Sequence, residues 1–250
     1  MHRFFVPADK LLTNTPTLEG DEAHHCLNVL RHAAGDKIVL FDGRGNEATA
    51  QIVTADKRHA TLSILHRAKS APVACRLTLA QAVPKGKNMD LIIEKAVELG
   101  AAEIAPLLSE RTVVQLDAAE AASKREKWQT VAREACKQCG QNWLPEVAEP
   151  VTPRVFFEQR RPKGLLLIAS LQADARPIKE ALEAHAAQHG GPAQDVTILV
   201  GPEGDFTPAE IGLAKSHGCQ PVTLGPIILR TETAAIYCLS VLGHELFSAK

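Results

Sequence analysis

Two strand-like runs in the last third of the chain end in glycine loops that could cradle a ligand. One reads Ile198-Leu199-Val200-Gly201-Pro202-Glu203-Gly204-Asp205-Phe206. The other reads Val222-Thr223-Leu224-Gly225-Pro226-Ile227-Ile228-Leu229-Arg230-Thr231-Glu232-Thr233-Ala234. In an open α/β sheet, ligands bind beyond the carboxyl ends of the strands. Glycine there lets backbone approach a ligand closely and permits positive φ. Neither loop continues into G-K-[ST], so the pair suits a ligand held by main-chain amides and carbonyls rather than a polyphosphate. Arg230 and Glu232 put a cation and a carboxylate at the mouth of the last helix. The same residues also read as turn chemistry, with Thr231 or Thr233 as N-cap and Glu232 favourable to the helix dipole.

Other motifs carry less. Gly43-Arg44-Gly45-Asn46-Glu47-Ala48 matches the dinucleotide pattern G-x-G-x-x-A, but that chemistry needs a helix next, with its N-terminus facing the pyrophosphate. Residues 48–53 alternate as a strand does, so the segment reads as a hairpin turn. Cys136-x-x-Cys139 has no second Cys pair and no His pair near it in sequence. Both thiols fall on the apolar stripe of a helix and read as packing. His24-His25-Cys26 are consecutive, and adjacent side chains on a helix do not face one another, so no metal is expected. Glu134, Gln138 and Gln141, at i, i+4 and i+7, read as a solvated face, with a dimer contact or substrate groove as the alternative.

The elements that must position these residues are legible from periodicity. Residues 1–70 read as mostly β. Short runs at 37–42, 48–55 and 60–66 are separated by the turns Asp42-Gly43-Arg44-Gly45-Asn46 and Asp56-Lys57-Arg58, and one short helix lies near 22–31. From about residue 73 strands alternate with helices. Strands are expected at 76–83, 103–108, 164–169, 196–200 and 221–224. Helices are expected at 89–99, 118–139, 177–188, from Thr207 to Gly218, and 232–247. Thr207-Pro208-Ala209-Glu210 carries a capping box with Pro at the first helical position. The stripe of the 118–139 helix is Trp128, Val131, Ala132, Ala135, Cys136 and Cys139. This alternation predicts a parallel sheet covered by helices on both faces, in a segment that begins between residues 67 and 75.

Composition bounds the function. The 250 residues carry a formal net charge of −1, 45% hydrophobic and 4% aromatic residues. That is a globular composition. It disfavours a nucleic-acid surface built on base stacking or on strong overall positive charge. Local charge is different, because residues 1–72 carry 9 Lys/Arg against 8 Asp/Glu, while residues 146–250 carry 9 against 12. A phosphate contact is therefore expected through Arg3, His25, Arg31 and Arg44, with Lys85 and Lys87 as further candidates. No apolar run reaches the roughly 20 residues of a membrane span, so no membrane is expected. Six scattered Cys fit thiols in a reducing cytoplasm.

The chain resembles the SPOUT methyltransferases over its last two-thirds. Over its whole length it is similar to the bacterial 16S ribosomal RNA (uracil-N3)-methyltransferase family. The resemblance rests on the order and spacing of His2-Arg3-Phe4-Phe5-Val6, His25 to Arg31, Lys85-Gly86-Lys87-Asn88-Met89-Asp90, Glu94 to Gly100, Ser109-Glu110-Arg111, Gly201-Pro202-Glu203-Gly204 and Leu224 to Ala234. It implies a PUA-like β-barrel at 1–70 that holds RNA. It implies a SPOUT domain at 73–250 whose carboxyl-terminal chain forms a trefoil knot. It implies S-adenosylmethionine as cofactor, held by Ser170 and Leu171 (with Gln172 next in that loop), by Gly201, Pro202, Glu203 and Gly204, and by Leu224, Gly225, Ile228, Leu229, Thr231, Thr233 and Ala234. Its expected partners are 16S rRNA or the 30S subunit and a second copy of the chain, in the cytoplasm. Arg230 is then the residue that opposes charge on the uracil, and Glu232 the base or orienter. Four positions depart from the family pattern. Asp205 replaces a glycine, Ile227 stands where an arginine is common, and Gln141 and Trp143 stand where arginines are frequent. The alternative these departures leave is an RNA-binding or ribosome-assembly module of the same fold without catalysis.

Overall fold

The computed structural model describes residues 1–247 other than 57, 113 and 115. Lys57 of the turn read at 56–58, and the last three residues of the 73–250 segment, lie outside the described residues. The chain divides into two compact units. Met1–Pro72 joins Arg133–Leu144 in one, and Val73–Ala132 joins Pro145–Lys250 in the other.

The first unit contains β1 (Arg3–Phe5), α1 (Ala8–Leu11), β2 (Thr17–Leu18), α2 (Gly20–His24) with a π-helical turn at His25–Val29, β3 (Lys37–Phe41), β4 (Asn46–Ala55) and β5 (Ala60–Lys69). The five strands pair in the order β1-β3-β4-β5-β2, with β1 parallel to β3 and the other pairs antiparallel. Alternation decides what is inside. Ala48, Ala50 and Ile52 of β4 point into a core with Phe4, Ile38, Leu40 and Leu62, as period-two patterning requires. Between β3 and β4 the chain turns through Gly43 to Gly45. Asp42 Oδ1 accepts from Arg44 N at 2.7 Å and from Asn46 N at 3.2 Å. A strand follows, so the G-x-G-x-x-A segment is a hairpin turn. Trp143 lies against this turn, where a Cβ on Gly45 would come within 2.6 Å of the indole. Its Nε1 donates to Ser70 O at 3.2 Å. Trp143 is thus a packing residue of the unit, and its N donates to Gln141 Oε1 at 3.1 Å.

The second unit contains β6 (Arg76–Ala82), α3 (Asn88–Glu98), β7 (Glu103–Leu107), most of α4 (Ala118–Cys139), β8 (Glu146–Val147), α5 (Pro153–Val155) with a π-helical turn at Phe156–Arg160, β9 (Leu165–Ala169), β10 (Arg176–Pro177), α6 (Ile178–His189), β11 (Asp195–Val200), α7 (Pro208–Ser216), β12 (Gln220–Thr223) and α8 (Thr231–Phe247). Its seven strands are parallel, in the order β10-β12-β9-β11-β6-β7-β8. Strands buried on both faces read as unbroken apolar runs, and LLLIA of β9 is such a run. One face packs Ala80, Leu107, Ile168 and Leu199 against Phe156, Phe206 and Ile211. On β6 and β11 lies α8, which also packs against α3 and α6. The buried stripe of α3 is Met89, Ile92, Ile93, Ala96 and Val97, at the helical spacing read from the sequence. The capping box of α7 is formed as expected, Thr207 Oγ1 accepting from Glu210 N.

One stripe assignment needs correction. Cys136 is buried, but Cys139 is exposed and Val131 only half-buried. Cys139 is the last residue of α4, three positions and so about 60° of helical rotation from Cys136. There the chain leaves the helix through Gly140, at φ +83°.

Candidate active site

Three loops leave the sheet side by side because their strands are neighbours and parallel. β9 lies between β12 and β11, with Ala169 opposite Val222 and Ile168 opposite Leu199. Val200 at the end of β11 stands opposite Gln81 of β6. The carboxyl ends of three strands thus share one edge, the position where open α/β sheets bind ligands.

Each loop is fixed by its own chemistry. In the first, Ser170 is buried and its Oγ accepts from Gln172 N at 3.1 Å. In the second, Asp205 sits at φ +60°, a left-handed conformation that Asp and Asn adopt more readily than other side chains. Its Oδ1 accepts from Phe206 N at 2.7 Å, and its N donates to Pro202 O at 3.0 Å. Gly201 sits in close quarters, since a Cβ there would stand 3.2 Å from Asp205 Oδ1 and 3.3 Å from Phe206, and these neighbours would have to give way by a few tenths of an ångström. In the third, Gly225 holds φ +107° and donates to Thr223 Oγ1 at 3.3 Å.

A buried relay ties the third loop to the second. Thr231 Oγ1 donates to Gly201 O at 2.7 Å and accepts from Gln81 Nε2 at 2.9 Å. Gln81 Nε2 also donates to Ala82 O at 3.0 Å. The hydroxyl of Thr231 is committed to this relay rather than to an N-cap. The first carbonyl of α8 comes from Arg230, whose O accepts from Ala234 N at 2.8 Å.

The loops enclose an open pocket of about 610 Å³, its mouth included. Its walls are main chain at Gly201 and Gly225 and apolar side chains such as Leu171, Leu224, Ile228 and Leu229. Of the residues expected to hold a cofactor, only Gly204 and Thr233 fall outside this lining. Asp205 and Ile227, two of the departures from the family pattern, are inside it. Arg230 and Glu232 flank the lining residue Thr231. Arg230 is exposed and Glu232 half-buried.

Neighbouring loops add charge to this edge. Glu203 Oε1 accepts from Lys85 N at 3.0 Å, which brings the Lys85-Gly86-Lys87 loop to the second loop, with both lysines exposed. Arg111 Nη1 donates to Gly204 O at 2.6 Å. The segment carrying Arg111 is held by the buried Glu210 carboxylate, which accepts from Ser109 Oγ and from Glu110 N, each at 3.0 Å.

The residues expected to meet phosphate in the first unit divide. Arg31 and Arg44 are exposed. Arg3 is not available, because its guanidinium donates to Glu47 Oε2 at 2.7 Å and also bonds Asn142. Burial alone would raise the Glu47 carboxyl, but the bonds from Arg3 and Asn142 outweigh it and hold it below its ordinary value. His25 is half-buried, with its ring edge-on to Phe4 and 3.4 Å from Lys137 Nζ. Both are structural where the sequence suggested contact. Among the described residues no three His, Cys, Asp or Glu gather as a metal site would require, and no helix is long and apolar enough to cross a membrane.

Sequence reasoning passed over two residues of the site. Gln81 was signalled by being the one polar residue in LAQA, the carboxyl-terminal half of its strand. Arg111 follows a strand end on the same edge and was quoted only as part of a motif.

Comparison with known proteins agrees with this arrangement. The sequence model of the family described as "RNA methyltransferase domain" matches residues 70–243, and that described as "RNA methyltransferase PUA domain" matches residues 18–65. The ribosomal RNA small subunit methyltransferase E of Synechocystis is 35% identical over 249 residues, 99% of this chain and 78% of that protein. Its Bacillus subtilis counterpart is 29% identical, over 98% of this chain and 97% of that protein. Among solved structures, the Neisseria gonorrhoeae ribosomal RNA small subunit methyltransferase E bound to S-adenosylmethionine is 32% identical, with a TM-score of 0.86 and 100% of both chains covered. A Legionella pneumophila methyltransferase in complex with the same cofactor is 34% identical, also at a TM-score of 0.86, with 97% of each chain covered.

Proposed function

The chain belongs to the RNA methyltransferase family whose members include ribosomal RNA small subunit methyltransferase E, and from that premise we propose that it transfers a methyl group from S-adenosylmethionine to N3 of a uridine in 16S rRNA. The observation that carries this reading is the pocket formed by three loops, two of them glycine loops, on adjacent parallel strand ends. The pocket fits the cofactor. Apolar side chains and exposed main chain suit an adenosyl group, and the glycines keep the walls free of side chains where a ligand must lie close to backbone. Leu171, Leu224, Ile228 and Leu229 would hold it, with Gly201 and Gly225 offering main chain.

S-adenosylmethionine supplies, when bound, a methyl carbon made electrophilic by its sulfonium. The protein's remaining tasks are alignment and deprotonation of the base. Holding the uracil nitrogen at near-attack distance contributes on the order of 7–11 kcal/mol. Arg230 opposes the negative charge that develops on the uracil oxygens as N3 loses its proton. Glu232, beside it at the start of α8, accepts or orients that proton.

Lys85, Lys87 and Arg111 on the same edge serve RNA phosphates, as do Arg31 and Arg44. Residues 1–70 form the RNA-holding PUA-like domain and residues 73–250 the catalytic SPOUT domain, its last segment threaded as a knot. The enzyme works in the cytoplasm as a homodimer. Leu171, Ile227 and Ile228 are 65%, 73% and 77% exposed, an apolar rim that a second copy would cover. The decisive experiment uses 16S rRNA and 30S particles from a strain lacking this protein. Incubation with protein and donor should produce 3-methyluridine in nucleoside mass analysis. Donor binding without any methylated nucleoside would favour the non-catalytic module.

A further inference from the structure

We propose that Asp205 makes this pocket select the cationic methyl donor over its neutral by-product, S-adenosylhomocysteine, and so promotes exchange after each turnover. This deepens the cofactor reading above and rests on it.

Two carboxylates, Glu203 and Asp205, line the pocket, and no Lys, Arg or His does so among the described residues. Arg111 reaches Gly204 O, but neither Arg111 nor Arg230 is part of the lining. Glu203 is exposed and tied to Lys85 N. Asp205 is half-buried and held in a fixed direction by its bond to Phe206 N and by the turn to Pro202 O. It holds that position at φ +60°, a backbone state that a glycine would adopt without strain. The carboxylate is therefore kept at the wall despite a backbone preference against it.

The chemistry makes that charge discriminating. Donor and by-product share an ammonium and a carboxylate, which cancel. They differ at sulfur, which is a cation before transfer and neutral after it, because the electron pair of the broken C–S bond stays on sulfur. The screening length at physiological salt is about 8 Å. A carboxylate on the wall therefore acts on a sulfur held within about that distance, most strongly near the wall.

Calorimetric titration of the full chain with each molecule tests this. Asp205→Asn keeps an acceptor for Phe206 N and tolerates positive φ, but removes the charge. We expect it to weaken S-adenosylmethionine by about threefold to tenfold while leaving S-adenosylhomocysteine within about twofold. Sinefungin, which carries an amine in place of the sulfonium methyl, should weaken with the donor. Asp205→Gly, which adopts the same φ freely, should repeat the pattern should the Asn variant fold poorly. In the unaltered protein the preference for the donor should narrow as salt rises. Equal loss of donor and by-product, no change in either, or a preference indifferent to salt would overturn the proposal. Failure of the unaltered protein to bind either molecule would instead overturn the cofactor reading.

Discussion

Replacing Thr231 by Val isolates the relay that joins the second and third loops. Thr231 is 4% exposed, and valine matches its shape, so little beyond the hydroxyl is lost. That hydroxyl makes two hydrogen bonds, to Gly201 O at 2.7 Å and from Gln81 Nε2 at 2.9 Å. Each contributes about 0.5–1.5 kcal/mol net, and leaving the Gly201 carbonyl without its donor adds about 1 kcal/mol, the low end for a half-buried group. Gln81 Nε2 keeps Ala82 O through one of its two hydrogens, but the other loses its acceptor in the interior and adds about 1 kcal/mol more. The sum is about 3–5 kcal/mol, read as a lower urea midpoint at unchanged slope. Thr231→Ser retains the hydroxyl and should recover all but about 0.8 kcal/mol, the value of one methyl group. Because the relay holds two walls of the pocket together, the valine variant should also bind S-adenosylmethionine about tenfold more weakly. A double-mutant cycle with Gln81→Leu should give a coupling of at least about 0.5 kcal/mol. A valine variant within 0.5 kcal/mol of the parent, with unchanged affinity and no coupling to Gln81, would refute the reasoning.

Further expectations follow from the same geometry. Arg230→Ala should lower methyl-transfer turnover by about 10²-fold or more while changing cofactor affinity little; titration showing the reverse would make Arg230 a cofactor ligand. RNA affinity should fall steeply with salt, and the double variant Lys85→Ala/Lys87→Ala should flatten the log–log slope by roughly 1–2, whereas an unchanged slope would remove those lysines from the phosphate contacts. The Glu47 carboxyl lies below its ordinary 4.5, so its pairing with Arg3 stabilises the fold above that pH and is lost as pH falls through the lowered value; Glu47→Gln should flatten that part of the acid limb, and an unaltered limb would contradict the pairing. Burial pushes the Cys26 and Cys75 thiols up to about 11 and those of Cys136, Cys219 and Cys238 up to about 12, so native protein should react rapidly with iodoacetamide at Cys139 alone, as peptide mapping would show.

Periodicity made the parallel sheet legible because strands covered on both faces must be apolar throughout, as β9 is, and because capping signals such as Thr207 to Glu210 mark helix starts without reference to the rest of the fold. The pocket was legible for a related reason. Glycines at strand ends have few structural uses, and Gly201 and Gly225 are there for close approach and positive φ. Long-range pairing was not legible. Nothing local to Arg3 announces that Glu47 and Asn142 take its guanidinium, nor to Trp143 that it packs on Gly45. Strand order hid the relay as well, because Gln81 and Thr231 lie 150 residues apart and meet only where β6 stands beside β11. Cys139 was misplaced by extending a stripe one step into the last residue of its helix, where the chain already turns away.

A crystal structure of the protein grown with S-adenosylmethionine tests the central claim most directly. The donor should lie against Gly201, Leu224 and Gly225, with its methyl carbon facing the side on which Arg230 stands. Donor density at any other place, or none in this pocket at saturating concentration, would contradict it.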